Sequence, residues 1–485
     1  MASSSTERLP ELSLQITTFN AAHNPVDAAS FAADLFPAGS PLPDLLVISL
    51  QECAPMSHGL LGGNLLSPYL KKVEEAVVIA AHTSKAAARE TGNTNQEGQA
   101  GVSKRKYTRV AYHTIGMVAL LIYARDARRV DEASIRKAEV GLGVGGMANK
   151  GAVGIRFRYH GDSERDSEGV TLTFVGAHLA AMEWSLARRN EDWSNIVKGL
   201  VFYNEEDPLA YGNTKPSNTR NPRDSTGEAQ RLLQDQESSE EEYRGIYHPR
   251  SHLFIAGDLN YRTASISPTA ADTENLFPLI NSARSDPQHW SALLKHDQLT
   301  HDREAGRTLH GFVEEKINFE PSYKYEYKNK KGAGEAGEDS QALEAWKWAP
   351  HRWPSWTDRV LWLPVAPWLS AQHAAAVIKP QAYRIHALNP TSDHRAVSLS
   401  LSVPLVAIPD PTDAERERYK EDVRITRPFE IVSDWRAQRA KARTEEIITG
   451  LTGYATTTWE GRCVLVALLA GAVGAGFLLK AGFGA

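Results

Sequence analysis

A chain of 485 residues with 42% apolar and 23% charged side chains can bury a large core, which excludes a disordered or collagen-like polymer. Its formal net charge of −5 excludes a protein that grips nucleic acid through a general basic surface, because neutralising phosphates dominates such binding. Only two cysteines occur, Cys53 and Cys463, so no disulfide framework is expected and a reducing compartment suits the chain.

In chain order, MASSSTERLP has no apolar h-region, so no secretory signal is expected. LSLQITTFN alternates Leu12, Leu14 and Ile16 and predicts a half-buried strand ending at Asn20. DLLVISLQE is the unbroken apolar run of a fully buried strand ending at Glu52. A helix is predicted near 67–81, an exposed loop over 83–106, strands near 114–124, 152–159 and 170–177, helical character over 181–203, and a polar, mobile insertion over 204–248. Strands return near 252–256, 357–363 and 395–403. Strands interleaved with helices, some close enough in sequence to pair antiparallel, predict a mixed α/β sandwich.

Beyond 403 a Pro-rich joint, IPDPTD, opens a charged segment with a helix expected over 427–449, read as a stalk. CVLVALLAGAVGAGFLL, 463–479, carries no charge, and as a helix it would span roughly 25 Å, close to the thinner endoplasmic-reticulum bilayer. It is read as a single transmembrane helix. Arg436, Arg439, Lys441, Arg443 and Arg462 before it outnumber Lys480 after it, which places the globular part in the cytosol. Ala467, Gly471 and Ala475 form a small-residue row that allows weak self-association.

Polar residues recur where apolar β-like runs begin or end: Asn20, Glu52, His178, Asp258 and Asn260, Asp358, and Asp393 with His394. In a sandwich they could converge at one edge of the sheets. Taken singly, each is as readily a turn residue or a hydrogen-bonded core group. A carboxylate and an amide oxygen suit hard Mg²⁺, and no Cys/His spacing suits zinc.

GDLNYR, PSWTDRVLW, SDHRAV, GGMANKGAV and PSYKYE resemble the inositol polyphosphate 5-phosphatases of the endonuclease/exonuclease/phosphatase superfamily, the match running from 10 to 403. The resemblance implies a DNase I-like four-layer α/β/β/α sandwich of two mixed sheets flanked by helices, and Mg²⁺-dependent removal of the 5-phosphate from an inositol ring. It also implies roles. Glu52 resembles the principal metal ligand with Asn20 beside it, Asp258 the base that orients and deprotonates water, and Asn260 a donor to the scissile phosphate. His178 and His394 resemble its hydrogen-bonding histidines, with Asp358 holding His394 and Asp393 a further polar or metal-side group. The proton donor to the leaving oxygen stays open between His394 and water on the metal. Tyr323, Lys324 and Arg352 match contacts to a 4-phosphate, and Lys150 the lysine near a 1-phosphate.

Three positions depart from the pattern. Pro350 replaces a lysine, for which Lys347 is the nearest substitute, while Thr357 replaces a cysteine and Ala148 a glycine, both read as packing changes.

The expected organisation is a catalytic domain over 10–403, a linker and helical stalk over 404–461, and an anchor over 463–479. Tethering raises local substrate concentration to about millimolar, which favours phosphatidylinositol 4,5-bisphosphate over soluble inositol phosphates without excluding these or the 3,4,5-trisphosphate. Two other readings compete. A nuclease or sphingomyelinase of the same superfamily is disfavoured by Tyr323-Lys324 and the acidic charge; an inactive lipid-binding tether is expected to lack Asp258 or His394.

Overall fold

The computed structural model describes residues 9–37, 39–83, 106–161, 168–203, 243–280, 284–328 and 345–482, with 474–482 as helical backbone only. Residues 84–105 of the predicted loop 83–106, and 204–242 of the predicted insertion 204–248, lie outside the described residues.

Two mixed sheets face each other. The first has six strands in the order β12-β13-β1-β2-β4-β3: β1 (Glu11–Asn20), β2 (Leu45–Gln51), β3 (Thr108–Ile115), β4 (Val118–Ala124), β12 (Lys379–Leu388) and β13 (Arg395–Pro404). The second has five, in the order β11-β8-β7-β6-β5: β5 (Val130–Gly141), β6 (Gly151–Tyr159), β7 (Val170–His178), β8 (Ser251–Asp258) and β11 (Asp358–Trp362). A short ribbon pairs β9 (Tyr325–Tyr327) with β10 (Trp346–Trp348).

One apolar layer, including Ile16, Val47, Leu120, Ile155, Phe174 and Phe254, is shared between the sheets. A second packs Ile48, Leu50 and Leu121 under helices α1 (Ala28–Ala33) and α3 (Ser67–Thr83), the latter preceded by α2 (Met56–Leu61). A third packs Val175 and Ile255 under Trp193 and Ile196 of α4 (Leu186–Gly199). The result is helix, sheet, sheet, helix, as expected.

Strand β1 departs from its predicted half-exposure: from Leu14 to Asn20 every residue is buried. Its polar positions are covered because they have internal partners. Gln15 donates to the Leu35 carbonyl at 2.7 Å, and the hydroxyls of Thr17 and Ser398 meet at 2.7 Å.

The predicted stalk helix is also displaced. It forms as α5 (Trp435–Thr457), not 427–449: the chain before it is bonded to the domain instead, the Val432 N–H donating to the Lys198 carbonyl at 3.0 Å. Nor does it stand away from the domain, since it packs on α2 and the loop before β6. A last helix, α6 (Trp459–Gly482), contains the uncharged run. Among the described residues no helix is long and apolar enough to cross a membrane, and the run's side chains from 474 onward, Ala475 included, lie outside them.

Candidate active site

Strand direction gathers the polar residues. β1 and β2 run parallel with Asn20 opposite Gln51, and β7 and β8 run parallel with His178 opposite Asp258. β11 is antiparallel to β8, so its first residue, Asp358, also lies opposite Asp258, and β13, antiparallel to β1, starts beside His394. Ends of parallel strands and starts of antiparallel ones thus share one edge. Gly257 permits this register, because a Cβ there would sit 1.9 Å from the Ala177 carbonyl.

Asp258 lies at the centre, fully buried. Its Oδ2 accepts from Asn20 Nδ2 at 2.9 Å and lies 3.2 Å from His178 Nε2 and 4.0 Å from His394 Nε2. Burial alone would favour the neutral acid, but His178, with His394 and Lys150 beyond it, holds the carboxyl well below the usual carboxylate range. His178 is pushed down by burial and by Lys150, against the pull of Asp258. The two shifts are compatible if His178 is a neutral Nε2–H donor, which stabilises an ionised acceptor without charge of its own. Lys150 Nζ also touches His178 Nε2, so the imidazole tautomer decides which contact is made.

His394 differs from His178. Its Nδ1 lies 2.9 Å from Asp358 Oδ2, which also accepts from the hydroxyls of Ser322 (2.7 Å) and Thr357 (2.9 Å). Burial opposes an imidazolium, yet Asp358, with Asp258 and Asp393, raises the His394 pKa to about 10. Burial pushes Asp358 up as well, and two hydroxyl donors keep its charge where the imidazolium needs it.

Glu52 sits at the mouth. Burial works against its charge, but His178, Lys150 and His23 together lower its pKa. His23 Nε2 lies 3.0 Å from Oε2 and Lys150 Nζ 3.7 Å from Oε1. Glu52 and Asn260 both adopt positive φ, 46° and 58°, a strained backbone that persists only where surrounding contacts over-determine it.

Among the described residues no group of three or more His, Cys, Asp and Glu side chains is arranged to hold a metal. Mg²⁺ asks for less, one or two carboxylates with water completing the shell. An ionised Glu52 to which an ammonium and two imidazoles are drawn, with the Asn20 amide beside Asp258, fits such a cation.

The rim residues assemble differently. The Tyr323 ring packs against His394 with centroids 4.4 Å apart and planes tilted by 39°, and Lys324 is paired with Asp393. Burial opposes the Lys324 charge, but Asp393 raises its pKa overall; Asp393 is correspondingly lowered against burial by His394 and Lys324. Arg352 Nη2 reaches Met182 Sδ at 3.1 Å, and Nη1 lies 4.0 Å from the buried Glu183 carboxylate. Lys347, the proposed substitute at the 4-phosphate contact, is half-exposed on the ribbon, 3.8 Å from Glu326. Asn260 donates through Nδ2 to the Leu179 carbonyl at 3.1 Å, leaving one N–H of that amide for another acceptor.

The profile of Endonuclease/Exonuclease/phosphatase family 2 matches residues 17–400. The chain belongs to this family. Its relatives include phosphatidylinositol 3,4,5-trisphosphate 5-phosphatase 1 of Mus musculus (27% identical over 262 residues, 54% of this chain and 17% of the relative). Synaptojanin-1 of Rattus norvegicus is 28% identical over 259 residues, 53% and 12% of the two chains. Type II inositol 1,4,5-trisphosphate 5-phosphatase of Mus musculus is 27% identical over 294 residues, 60% and 22%. The chain thus spans less than a quarter of the length of these relatives. Among solved structures, the inositol polyphosphate 5-phosphatase domain of SPsynaptojanin, in complex with inositol (1,4)-bisphosphate and calcium ion, superposes with a TM-score of 0.51 at 20% identity, covering 90% of this chain and 93% of that one. At that identity the likeness bears on the fold.

Within the family frame, sequence reasoning missed four contributors. Ser322 and Thr357 supply hydroxyls to Asp358, so Thr357 is more than a packing change. His23 pairs with Glu52. Arg262 is buried over the Tyr323 ring at 4.5 Å and donates from Nε to the Asn260 carbonyl. Ser322 and Arg262 lie inside the motifs PSYKYE and GDLNYR, which was the available signal; nothing in the sequence marks His23.

Proposed function

We propose that this chain hydrolyses the 5-phosphate of phosphatidylinositol 4,5-bisphosphate in a Mg²⁺-dependent reaction at a cytosolic membrane face, with the 3,4,5-trisphosphate and soluble inositol polyphosphates as further substrates. The observation that carries it is the meeting of Asn20, His178, Asp258 and the Asp358–His394 pair at one end of two sheets. Two of the relatives are a phosphatidylinositol 3,4,5-trisphosphate 5-phosphatase and an inositol 1,4,5-trisphosphate 5-phosphatase, which supports the substrate class.

The ionised Asp258 accepts a hydrogen bond from the attacking water and aligns it on phosphorus. His394 as imidazolium turns Nε2 to the phosphate oxygens, where negative charge is redistributed during transfer, while His178, a neutral imidazole beside them, gives its one N–H to Asp258 and keeps that carboxylate ionised and in place. Asp358 keeps the His394 proton on the ring and the ring in one orientation. Glu52 and Asn20 would hold Mg²⁺, which when bound supplies positive charge against the scissile phosphate. Tyr323, Lys324 and Arg352 take the 4-phosphate and Lys150 the 1-phosphate, Lys324 exchanging Asp393 for substrate.

The membrane location is inferred from α6, whose described apolar side chains lie in the open, Val466 at 64% and Leu468 at 66% exposure. It is read as a single-pass tail anchor of an internal membrane, the endoplasmic reticulum being favoured by its length. Phosphate release with Mg²⁺ from short-chain phosphatidylinositol 4,5-bisphosphate, with analysis of which phosphate remains, tests the chemistry. The 4-phosphate product is expected; no release, or loss of the 4-phosphate, overturns the reading. Ending the chain before Arg462 is expected to preserve that turnover and release the protein from membranes, and continued sedimentation with membranes refutes the anchor.

A further inference from the structure

We propose that α5, which the sequence assigns to a stalk, belongs to the active site: its buried Glu446 positions Lys150. This rests on the reading of Lys150 as a phosphate contact. Lys150 ends the loop Gly143–Lys150, rich in glycine and therefore soft on its own. In the fold that loop is held between two surfaces. On one side Gly116, in the turn between β3 and β4, lies so close that a Cβ there would sit 1.8 Å from the Ala148 carbonyl. On the other lies α5, where Ala442 faces Gly146 and Glu445 faces Gly145.

The decisive contact is polar. Glu446 is 0% exposed, and its Oε1 accepts from the backbone N–H of Ala148 at 3.1 Å, two residues before Lys150. The same carboxylate is oriented by Arg439, at 2.6 and 3.0 Å, and by Arg443 at 3.2 Å. These arginines are themselves fixed to the domain. Arg439 Nε donates to Glu139 of β5 at 2.7 Å, and Arg443 donates to the Leu60 and Leu61 carbonyls at the end of α2. A buried carboxylate satisfied on all sides, whose one backbone donor comes from the Lys150 loop, is placed to set that loop's geometry. Just beyond, Lys150 Nζ stands 3.7 Å from Glu52 and against His178.

Glu446 is thus a positioning residue, and reach can be separated from charge. Glu446→Gln keeps an acceptor oxygen at the same reach for the Ala148 N–H; its amide nitrogen, which cannot accept, replaces Oε2 before Arg439 and Arg443, and these keep Glu139 and the Leu60 and Leu61 carbonyls as acceptors. Glu446→Asp keeps the charge and withdraws the oxygen by one methylene. The inference predicts that E446D raises KM for short-chain phosphatidylinositol 4,5-bisphosphate about tenfold, the worth of one phosphate contact, with kcat little changed, and that E446Q stays near wild type.

In a Lys150→Ala background E446D is expected to add nothing further, because both changes act through one contact. Amide exchange over 146–150 in the full chain, read by mass spectrometry, is expected to quicken in E446D and not in E446Q. The inference is overturned by the reverse ranking of the two variants, by an unchanged KM in E446D, by additivity with K150A, or by unchanged exchange. Wild-type protein that releases no phosphate from this lipid defeats the functional reading instead, and the exchange measurement still decides whether Glu446 holds the loop.

Discussion

The buried strand ends and the exposed rim solve opposite problems. At the strand ends, Asn20, His178, Asp258 and Asp358 are placed by β-sheet register and lie almost wholly out of water; Asn20 and His178 bond to Asp258, and Asp358 to His394. On the rim, Lys150 and Lys324 sit on loops with side-chain exposures of 20% and 22%, each resting against an internal carboxylate. The first arrangement is fixed by the sheets; under the proposed function the second trades an internal partner for a substrate phosphate. Chemistry is therefore expected to be sensitive at the strand ends, and affinity at the rim.

Removing the central carboxylate tests this most severely. Asp258→Ala takes away the acceptor for the attacking water and leaves the Asn20 amide unmatched, so kcat is expected to fall by about 10³-fold or more with little change in KM. A comparable rise in KM alone would place Asp258 on the rim side of the division.

Asp358→Asn comes next, at about 10²-fold in kcat, and carries a pH signature. The His394 pKa is raised, so the stability of its ion pair is fully present below the unfolded value of about 6.5 and is lost as pH rises through about 10. Wild-type kcat/KM should hold into the alkaline range on this limb, whereas the amide variant should lose activity near neutrality. Coincident alkaline limbs would show that Asp358 does not hold the His394 proton. Asp258 works in the other direction: its pKa is lowered, so its stabilisation is present above about pH 4 and fails on acidification.

On the rim, Lys324→Ala is expected to raise KM for the 4,5-bisphosphate about tenfold and to leave that for a lipid phosphorylated at position 5 alone nearly unchanged. Equal effects on both lipids would remove Lys324 from the 4-phosphate contact. The internal pair with Asp393 also implies that Asp393→Asn frees the ammonium and lowers KM, an effect in the opposite direction and smaller.

The same division governs what could be read from the sequence. Interior strands such as β2, β4 and β8 announce themselves because both faces are buried and the apolar run is unbroken. In the two large sheets the strands that escaped, β3, β5 and β12, are all edges, and stretches such as VDEASIRKAEVG carry the charges that edges use against unwanted pairing; the short ribbon β9–β10 escaped as well. At the site, residues ending apolar runs were visible, whereas His23 and Glu446 were not. Their role depends on a turn and a distant helix meeting Glu52 and Ala148 in space, which no local pattern encodes.

Thr357 gives the finest test, because it stands at the boundary between support and chemistry. Its hydroxyl donates to Asp358 Oδ2 at 2.9 Å and lies 3.5 Å from His394 Nδ1, on the side of the imidazole that faces Asp358. Valine has nearly the same shape, so Thr357→Val removes one buried hydrogen bond, worth about 1 kcal/mol, with little disturbance of packing. With only Ser322 left to stabilise its charge, the Asp358 carboxylate becomes a stronger base and competes for the proton on His394 Nδ1. A fall of about fivefold in kcat with KM unchanged is expected, with Thr357→Cys intermediate because a thiol is a weak donor. If valine matched threonine in kcat, the hydroxyl would be packing after all, and the strand-end network would begin at Asp358.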